Sequence, residues 1–316
     1  MSTDTASSAG LFARASLLRL RVRWFRHEMR PAGTLARWVP PSWFTDPMVD
    51  TDMVSPWERA WFTRHLARDF DGDGAVVELG TGMGASTLAI LDGLRRNPTA
   101  SATEVHCYDL FHDDTDTFLP RFLERLGDRR ERVIVHEGDI TDETWPAEAP
   151  IGFLFDDVAK TWDIWNHVKA TFHRALRPGA IVVEQDFVHS CTPWIHLWHA
   201  RHRDAFEPVY RVPNSGSMVF RLRDHLPQEA VEPDGFSDYT DAEIDEAFEW
   251  AVGIIGPADH GHIRGAKVHL YSLFGDLDVA SRVCVEQLAL TPNGELLTDA
   301  VPELARRLAA RDSESQ

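Results

Sequence analysis

From residue 75 to about 222, short β-branched runs alternate with longer amphipathic stretches. AVVELG (75–80), EVHCYDL (104–110), RVIVHEG (132–138), IGFLFDD (151–157) and AIVVEQD (180–186) read as strands, and helical periodicity fills 85–97, 117–129, 161–176 and 193–205. Near-continuous apolar strands separated by helices predict a parallel sheet covered on both faces. The last two runs, FEPVYRV and SMVFRL, are joined only by PNSG. That connection is too short for a helical crossover, so it predicts an antiparallel hairpin. The fold class is α/β: a Rossmann-like, doubly wound, seven-stranded sheet closed by that hairpin, with helical extensions at both ends.

The flanks carry their own signals. SPWERAWFTRHLARDF opens with Ser55 as N-cap, Pro56 at the first helical position and Glu58 three residues after the cap, which predicts a helix. Trp57, Trp61, Phe62 and Leu66 give it an apolar stripe, and DGDGA ends it before the first strand. Upstream, an arm over 1–52 intersperses Arg14, Arg19, Arg21, Arg23, Arg26 and Arg30 with leucines, Val22 and Phe25. It lacks a charge-free apolar run, which argues against a secretory signal and for a structural or oligomer-forming helix. Pro40 and Pro41 predict an extended crossing after it. The sheet domain is expected over 53–222, followed by an acidic linker and a helical extension over 223–316. Within that extension, AKVHLYSLFGDLDVASRVCVEQLALTPN resembles one tetratricopeptide-type helical hairpin. One such unit cannot form an array, so it is read as a hairpin docked on the domain or on a second subunit. A homodimer through the arm or the C-terminal helices is the partnership these extensions suggest.

Charge narrows the partners. The 316 residues are 43% hydrophobic with a formal net charge of -18, enough apolar content for a full core and a surface that repels polyanions. A small-molecule acceptor is expected, with no nucleic acid. Cys107, Cys191 and Cys284 are far apart and form no paired motif, which suits a reducing cytoplasm. No window approaches the roughly 18 apolar residues of a membrane span, so no membrane partner is expected.

Candidate chemistry starts at the first strand. Gly80, Gly82 and Gly84 follow a strand and open a helix, where a nucleotide-like ligand meets bare backbone and free amides. The spacing Gly80-Thr81-Gly82-Met83-Gly84-Ala85 also satisfies the dinucleotide pattern, so glycine alone does not choose the ligand. Glu78 precedes the loop, placed to accept from an ammonium or to anchor the turn. Asp109 closes the second strand, where it can take ribose hydroxyls, and Asp139 closes the third, placed to accept from an adenine amine.

Together with the terminal hairpin, these residues resemble the class I S-adenosylmethionine-dependent methyltransferases over roughly 53–222. The resemblance implies S-adenosylmethionine as cofactor, held by Glu78, Gly80, Thr81, Gly82, Gly84, Ser86, Asp109, Asp139 and Ile140, with Ser86 meeting the methionine carboxylate. Asp157 and Lys160, spaced D-x-x-K, look like the pair used by catechol-type and other metal-dependent O-methyltransferases of small molecules, sugars and natural products. There the aspartate binds a divalent ion and the lysine is general base. Lysine can serve so only if its pKa falls from about 10.4 toward neutrality. The implied metal set is Asp157, Gln185 and Asp186, for Mg2+. Gln185 departs from the family, because a glutamine oxygen brings no charge to a hard cation. Without metal, Lys160, Asp186 or His189 would act as base.

His196, His199 and His202 follow helical steps that drift round an axis and are read as surface or partner-face residues, leaving His189 as the functional candidate. Trp162, Trp165, Phe187, Trp194 and Trp198 suit either a hydrophobic acceptor or core packing. Two other classes remain open: a nicotinamide-dependent oxidoreductase and a non-catalytic cofactor-binding scaffold.

Overall fold

The computed structural model describes residues 54–112, 117–146, 148–291, 293–294, 296 and 300–314, so the helix and crossing expected in the Arg-rich arm lie outside the described residues. Helix α1 (Pro56–Arg68) begins at the capping box read from sequence. The Ser55 hydroxyl accepts from the Glu58 amide at 3.2 Å, and the Glu58 carboxylate accepts from the Ser55 amide at 2.6 Å. Both bonds satisfy amides that a helix start leaves unpaired.

The sheet contains β1 (Ala75–Leu79), β2 (Val105–Asp109), β3 (Val133–Glu137), β4 (Ile151–Asp156), β5 (Leu176–Glu184), β6 (Phe206–Arg211) and β7 (Met218–Leu222), in the order β3-β2-β1-β4-β5-β7-β6. The pairs from β3 through β5 are parallel, and β7 runs antiparallel to both β5 and β6. Between the strands lie α2 (Ala85–Arg96), α3 (Leu119–Leu126), α4 (Trp162–Thr171) and α5 (Pro193–Arg201). Three of these, α3, α4 and α5, stop several residues earlier than periodicity predicts. Gly127, at φ 56, ends α3 and hands the chain to a 3-10 turn. After α4 a short 3-10 turn leads into β5, whose first residues Leu176-Arg177-Pro178-Gly179 no helix would accommodate.

Strand alternation sorts the core into two layers. Val76, Cys107, Phe153, Phe155 and Val183 face α1, α2 and α3, whereas Val77, Leu79, Leu154 and Val182 face α4, α5 and the C-terminal helices. Those helices are α6 (Asp241–Ile254), α7 (His260–Phe274), α8 (Leu277–Leu290) and α9 (Ala300–Glu314). The expected helical hairpin is α7–α8, with Asp276 capping α8 by accepting from the Asp278 and Val279 amides; Pro292 lies outside the described residues. No helix among the described residues is long and apolar enough to cross a membrane.

The acidic linker is a tie to α4. Lys169 of α4 is fully buried and donates to Asp234 Oδ1 at 2.8 Å. The same carboxylate accepts from Trp162 Nε1 at 3.1 Å and from the Tyr239 hydroxyl at 2.6 Å, while Asn166 donates to the Asp234 carbonyl at 2.7 Å and accepts from its amide at 3.1 Å. A charged lysine can be buried because its partner is fixed by these further bonds.

Tertiary packing also corrects the reading of two histidines as surface or partner-face residues. His196 and His199 are fully buried: His196 packs against Phe187 and against Phe248 of α6, whereas His199 faces the sheet, stacked on Phe220 of β7 at 4.0 Å. His196 Nε2 lies 2.6 Å from the Phe187 carbonyl and His199 Nε2 lies 3.0 Å from Glu184 Oε1. Burial lowers His199 to about 3 and raises Glu184 to about 8, so this pair is neutral and shares one hydrogen bond. Trp162, Trp165, Phe187, Trp194 and Trp198 are buried in the same layer, as core.

Two outcomes follow from these buried groups. Asp234→Ala strands the Lys169 ammonium and is expected to cost about 3–5 kcal/mol in urea unfolding. Glu184 holds its proton in the folded chain and loses it when unfolded above its ordinary value of 4.5. Its contribution is therefore complete below that pH and fades as pH rises toward about 8, by on the order of 5 kcal/mol at most. A melting series from pH 5 to 9 on Glu184→Gln should show a flatter decline than the parent, and an unchanged slope would remove Glu184 as its source.

Candidate active site

The parallel register places Leu79, Asp156 and Glu184 side by side, so the chain leaves β1, β4 and β5 at one level. The Asp157 amide donates to the Leu79 carbonyl and the Gln185 amide to the Asp156 carbonyl, both at 2.9 Å. Three loops therefore meet at one crevice beyond the carboxyl ends of the strands, the usual ligand edge of an open α/β sheet.

Gly80, Gly82 and Gly84 all have positive φ, at 82°, 52° and 81°. A side chain at Gly80 would come within 2.9 Å of the Asp157 carbonyl, and one at Gly84 within 2.8 Å of the Phe122 ring, so these two serve internal packing. At Gly82 an added Cβ would meet nothing within 4 Å, which leaves its backbone bare toward open space. The Gly82 amide donates to Asp109 Oδ2 at 2.7 Å, while Asp109 Oδ1 accepts from the Phe111 amide at 2.8 Å. Asp109 thus fixes the loop from the end of β2. Helix α2 starts at Gly84 with no side chain capping its first amides and no acid in its first turn, which leaves an anion-accepting end.

Glu78 is fully buried below the loop. It accepts from the Thr87 hydroxyl at 2.7 Å and the Cys107 thiol at 3.4 Å, and burial outweighs these and the Ser86 hydroxyl to push it up to about 7. Ser86 is likewise buried, beside Glu78. Thr81 is buried with its hydroxyl 3.5 Å from the Tyr108 carbonyl. Asp139, beyond β3, accepts from the Thr141 amide at 2.9 Å and its hydroxyl at 2.8 Å, and Ile140 is buried behind it.

The second cluster joins β4 to β5. Lys160 Nζ donates to Asp157 Oδ1 at 2.5 Å and to Asp186 Oδ2 across the crevice. Burial pushes Asp157 up to about 7 against the pull of Lys160. For Lys160, burial works downward, but the Asp157 and Asp186 carboxylates outweigh it and the lysine rises above its ordinary value. The two shifts run the same way for different reasons: burial dominates at Asp157, and the paired carboxylates dominate at Lys160. His189 is exposed on the following loop, with Nδ1 3.8 Å from the Cys191 thiol.

Gln185 is drawn elsewhere. Its Oε1 lies 2.6 Å from the Ser217 hydroxyl, which also bonds to Glu58 Oε1. One hydroxyl proton cannot serve two acceptors, so a Glu58 carboxyl that keeps its proton, as its burial favours, satisfies all three. The turn after β6 is pressed onto this point: a Cβ at Gly216 would lie 2.3 Å from the Gln185 carbonyl. Of the expected metal set, the structure therefore brings Asp157 and Asp186 together and turns the Gln185 side-chain oxygen to Ser217. The position between the two carboxylates is taken by Lys160, so these residues as placed do not fit a divalent ion, and among the described residues no group of three or more His, Cys, Asp or Glu side chains is arranged to hold one.

Sequence reasoning missed Glu58, Ser217 and Asp156 as parts of the site. Glu58 was legible only as a helix cap, and Ser217 stands 159 residues from it, a separation no local pattern bridges. Asp156, pushed up to about 8 by burial with Glu184 beside it, accepts from the Val158 amide at 3.0 Å and so shapes the turn that carries Lys160.

Residues 77–187 match the family model described as a methyltransferase domain. No curated protein matches the sequence. Among solved structures, the O-methyltransferase NovP is similar at 15% identity over 53% of this chain and 80% of that one, with a TM-score of 0.40. CalS11, a TDP-rhamnose 3'-O-methyltransferase of calicheamicin biosynthesis, is similar at 17% identity over 52% of this chain and 76% of that one, with a TM-score of 0.42. An O-methyltransferase from Bacillus cereus in complex with SAH shares 16% identity over 54% of this chain and 82% of that one, with a TM-score of 0.38. The loop, the seven-stranded sheet and the match agree: residues 77–187 carry a methyltransferase domain on a Rossmann-like α/β sheet.

Proposed function

We propose that the protein methylates a hydroxyl group of a small molecule, with the Asp157–Lys160–Asp186 cluster as the reacting edge. That cluster carries the reading, since it lies where β4 and β5 end beside the glycine loop. The loop suits the cofactor: Gly82 leaves a cradle that a Cβ would fill, and the uncapped start of α2 suits a carboxylate. Gly80–Ser86, Asp109, Asp139 and Ile140 are the residues to hold it. When bound, S-adenosylmethionine supplies an electrophilic methyl on a sulfonium and departs as the neutral thioether.

The chain's own task is to make a hydroxyl oxygen nucleophilic. As that oxygen forms its bond to the methyl carbon, its proton needs an acceptor of pKa near neutrality. Asp157, at about 7, meets that requirement with Asp186 opposite. Lys160, raised and held by both carboxylates, is charged at neutral pH and serves as an ammonium that steadies negative charge on the acceptor oxygen. To take the proton itself it would first have to leave both partners. No step requires the divalent ion the resemblance implies. The net charge of -18 supports a small neutral or cationic acceptor over a nucleic acid.

A calorimetric titration with S-adenosylhomocysteine tests the reading first. One equivalent should bind, and Asp109→Ala, which frees the Gly82 amide, should weaken binding at least about tenfold, near 1.4 kcal/mol. A folded sample that binds NAD instead would replace the assignment. Asp186→Asn and Lys160→Ala are each expected to lower turnover by roughly 100- to 10,000-fold with cofactor affinity nearly intact. Full activity in both would remove the cluster from the chemistry.

A further inference from the structure

Two carboxylates held face to face at the end of a sheet are relieved by a proton on one of them or by a cation between them. Their repulsion is strong where the surroundings exclude water, and the Asp157 and Asp186 side chains are only 11% and 12% exposed. Among metal-assisted transferases a divalent ion answers that need. In this chain the answer is built in. The turn 156–160 is fixed by its own bonds: Asp156 accepts from the Val158 amide, and the Lys160 amide donates to the Val158 carbonyl at 2.6 Å. That turn delivers the Lys160 ammonium to both carboxylates at once. A third ligand is also withheld, because Ser217, itself bonded to Glu58, engages the Gln185 oxygen and Gly216 presses on its backbone.

We propose that Lys160 is the resident cation of this site, in the place of a divalent metal, and that the protein takes up no divalent ion there. The proposal rests on the cluster being the reacting edge argued above, and adds that its positive charge belongs to the polypeptide. A divalent ion would have to displace an ammonium bonded to both of its ligands, and it would gain only two carboxylates and water in exchange. Removing the lysine side chain should therefore uncover a weak site, since two carboxylates with several waters suffice for a hard cation.

The test is Mn2+ binding to the full chain, followed by electron paramagnetic resonance in the presence of saturating S-adenosylhomocysteine. The parent should leave added Mn2+ free up to millimolar concentrations. Lys160→Ala should bind one equivalent in the submillimolar range, and Asp186→Asn added to that variant should abolish the binding. The Lys160 side chain is 48% exposed, so its truncation leaves no buried cavity, and circular dichroism confirms the fold of each variant. One equivalent bound by the parent and lost in Asp186→Asn overturns the proposal, as does a folded Lys160→Ala that binds none. The S-adenosylhomocysteine titration on the same samples separates the two readings. Its failure in the parent strikes the methyltransferase assignment, whereas Mn2+ uptake with intact cofactor binding strikes the resident cation alone.

Discussion

The site depends on one backbone constraint: β1, β4 and β5 end level, and the glycine loop is pressed against the start of the turn after β4. The Asp157 amide bonds to the Leu79 carbonyl, and a side chain at Gly80 would reach the Asp157 carbonyl at 2.9 Å. Neither loop can shift without breaking the ladder between their strands. That closeness puts the glycine loop beside the acidic pair, as the proposed methyl transfer requires, because its two reactants must meet in line. Glu78 supports the arrangement from below, holding the α2 start through Thr87 and the β2 strand through Cys107.

Electrostatics then divides the acids by what faces them. Glu78, Asp156 and Glu184 are buried against hydroxyls, amides or a neutral imidazole, and each is pushed toward or above neutrality. Asp234 and Asp157 are instead paired with lysines, to opposite ends. Lys169 and Asp234 are enclosed and further bonded, which makes them a structural tie between α4 and the segment before α6. Lys160 stands half exposed at the crevice, and its carboxylate partners lie largely buried beneath it. The same pair of residue types is a rivet in one place and the proposed reacting group in the other, and access to the lysine makes the difference.

A third element ties the crevice to regions far along the chain. Arg211 bonds to Asp259 at 3.0 Å and to the Val212 carbonyl, which links the turn after β6 to the start of the α7 hairpin. That turn carries Gly216 and Ser217 onto Gln185, and Ser217 reaches Glu58 at the start of α1. Helix α1, the terminal hairpin and the C-terminal layer thus converge on one side chain at the site. The orientation of Gln185 is a property of that whole assembly.

Much of this was written locally. Alternation of apolar runs with amphipathic stretches specified a parallel sheet, the four-residue PNSG connection specified the antiparallel closure, and Ser55 with Glu58 specified the start of α1. These depend on periodicity, chain length and capping, which act over a few residues. The glycine loop with Glu78 and Asp109 was legible for the same reason, since a strand-turn-helix is a local unit. Tertiary packing decided what lay between distant segments. It buried His196 against α6 and His199 against the sheet. It set the Lys160 ammonium between two carboxylates, reversing the downward shift that a catalytic lysine base needs. It also turned Gln185 toward Glu58 and Ser217. Charge and burial at a point are sums over everything packed around it, and a sequence pattern carries only the part contributed by its own neighbours.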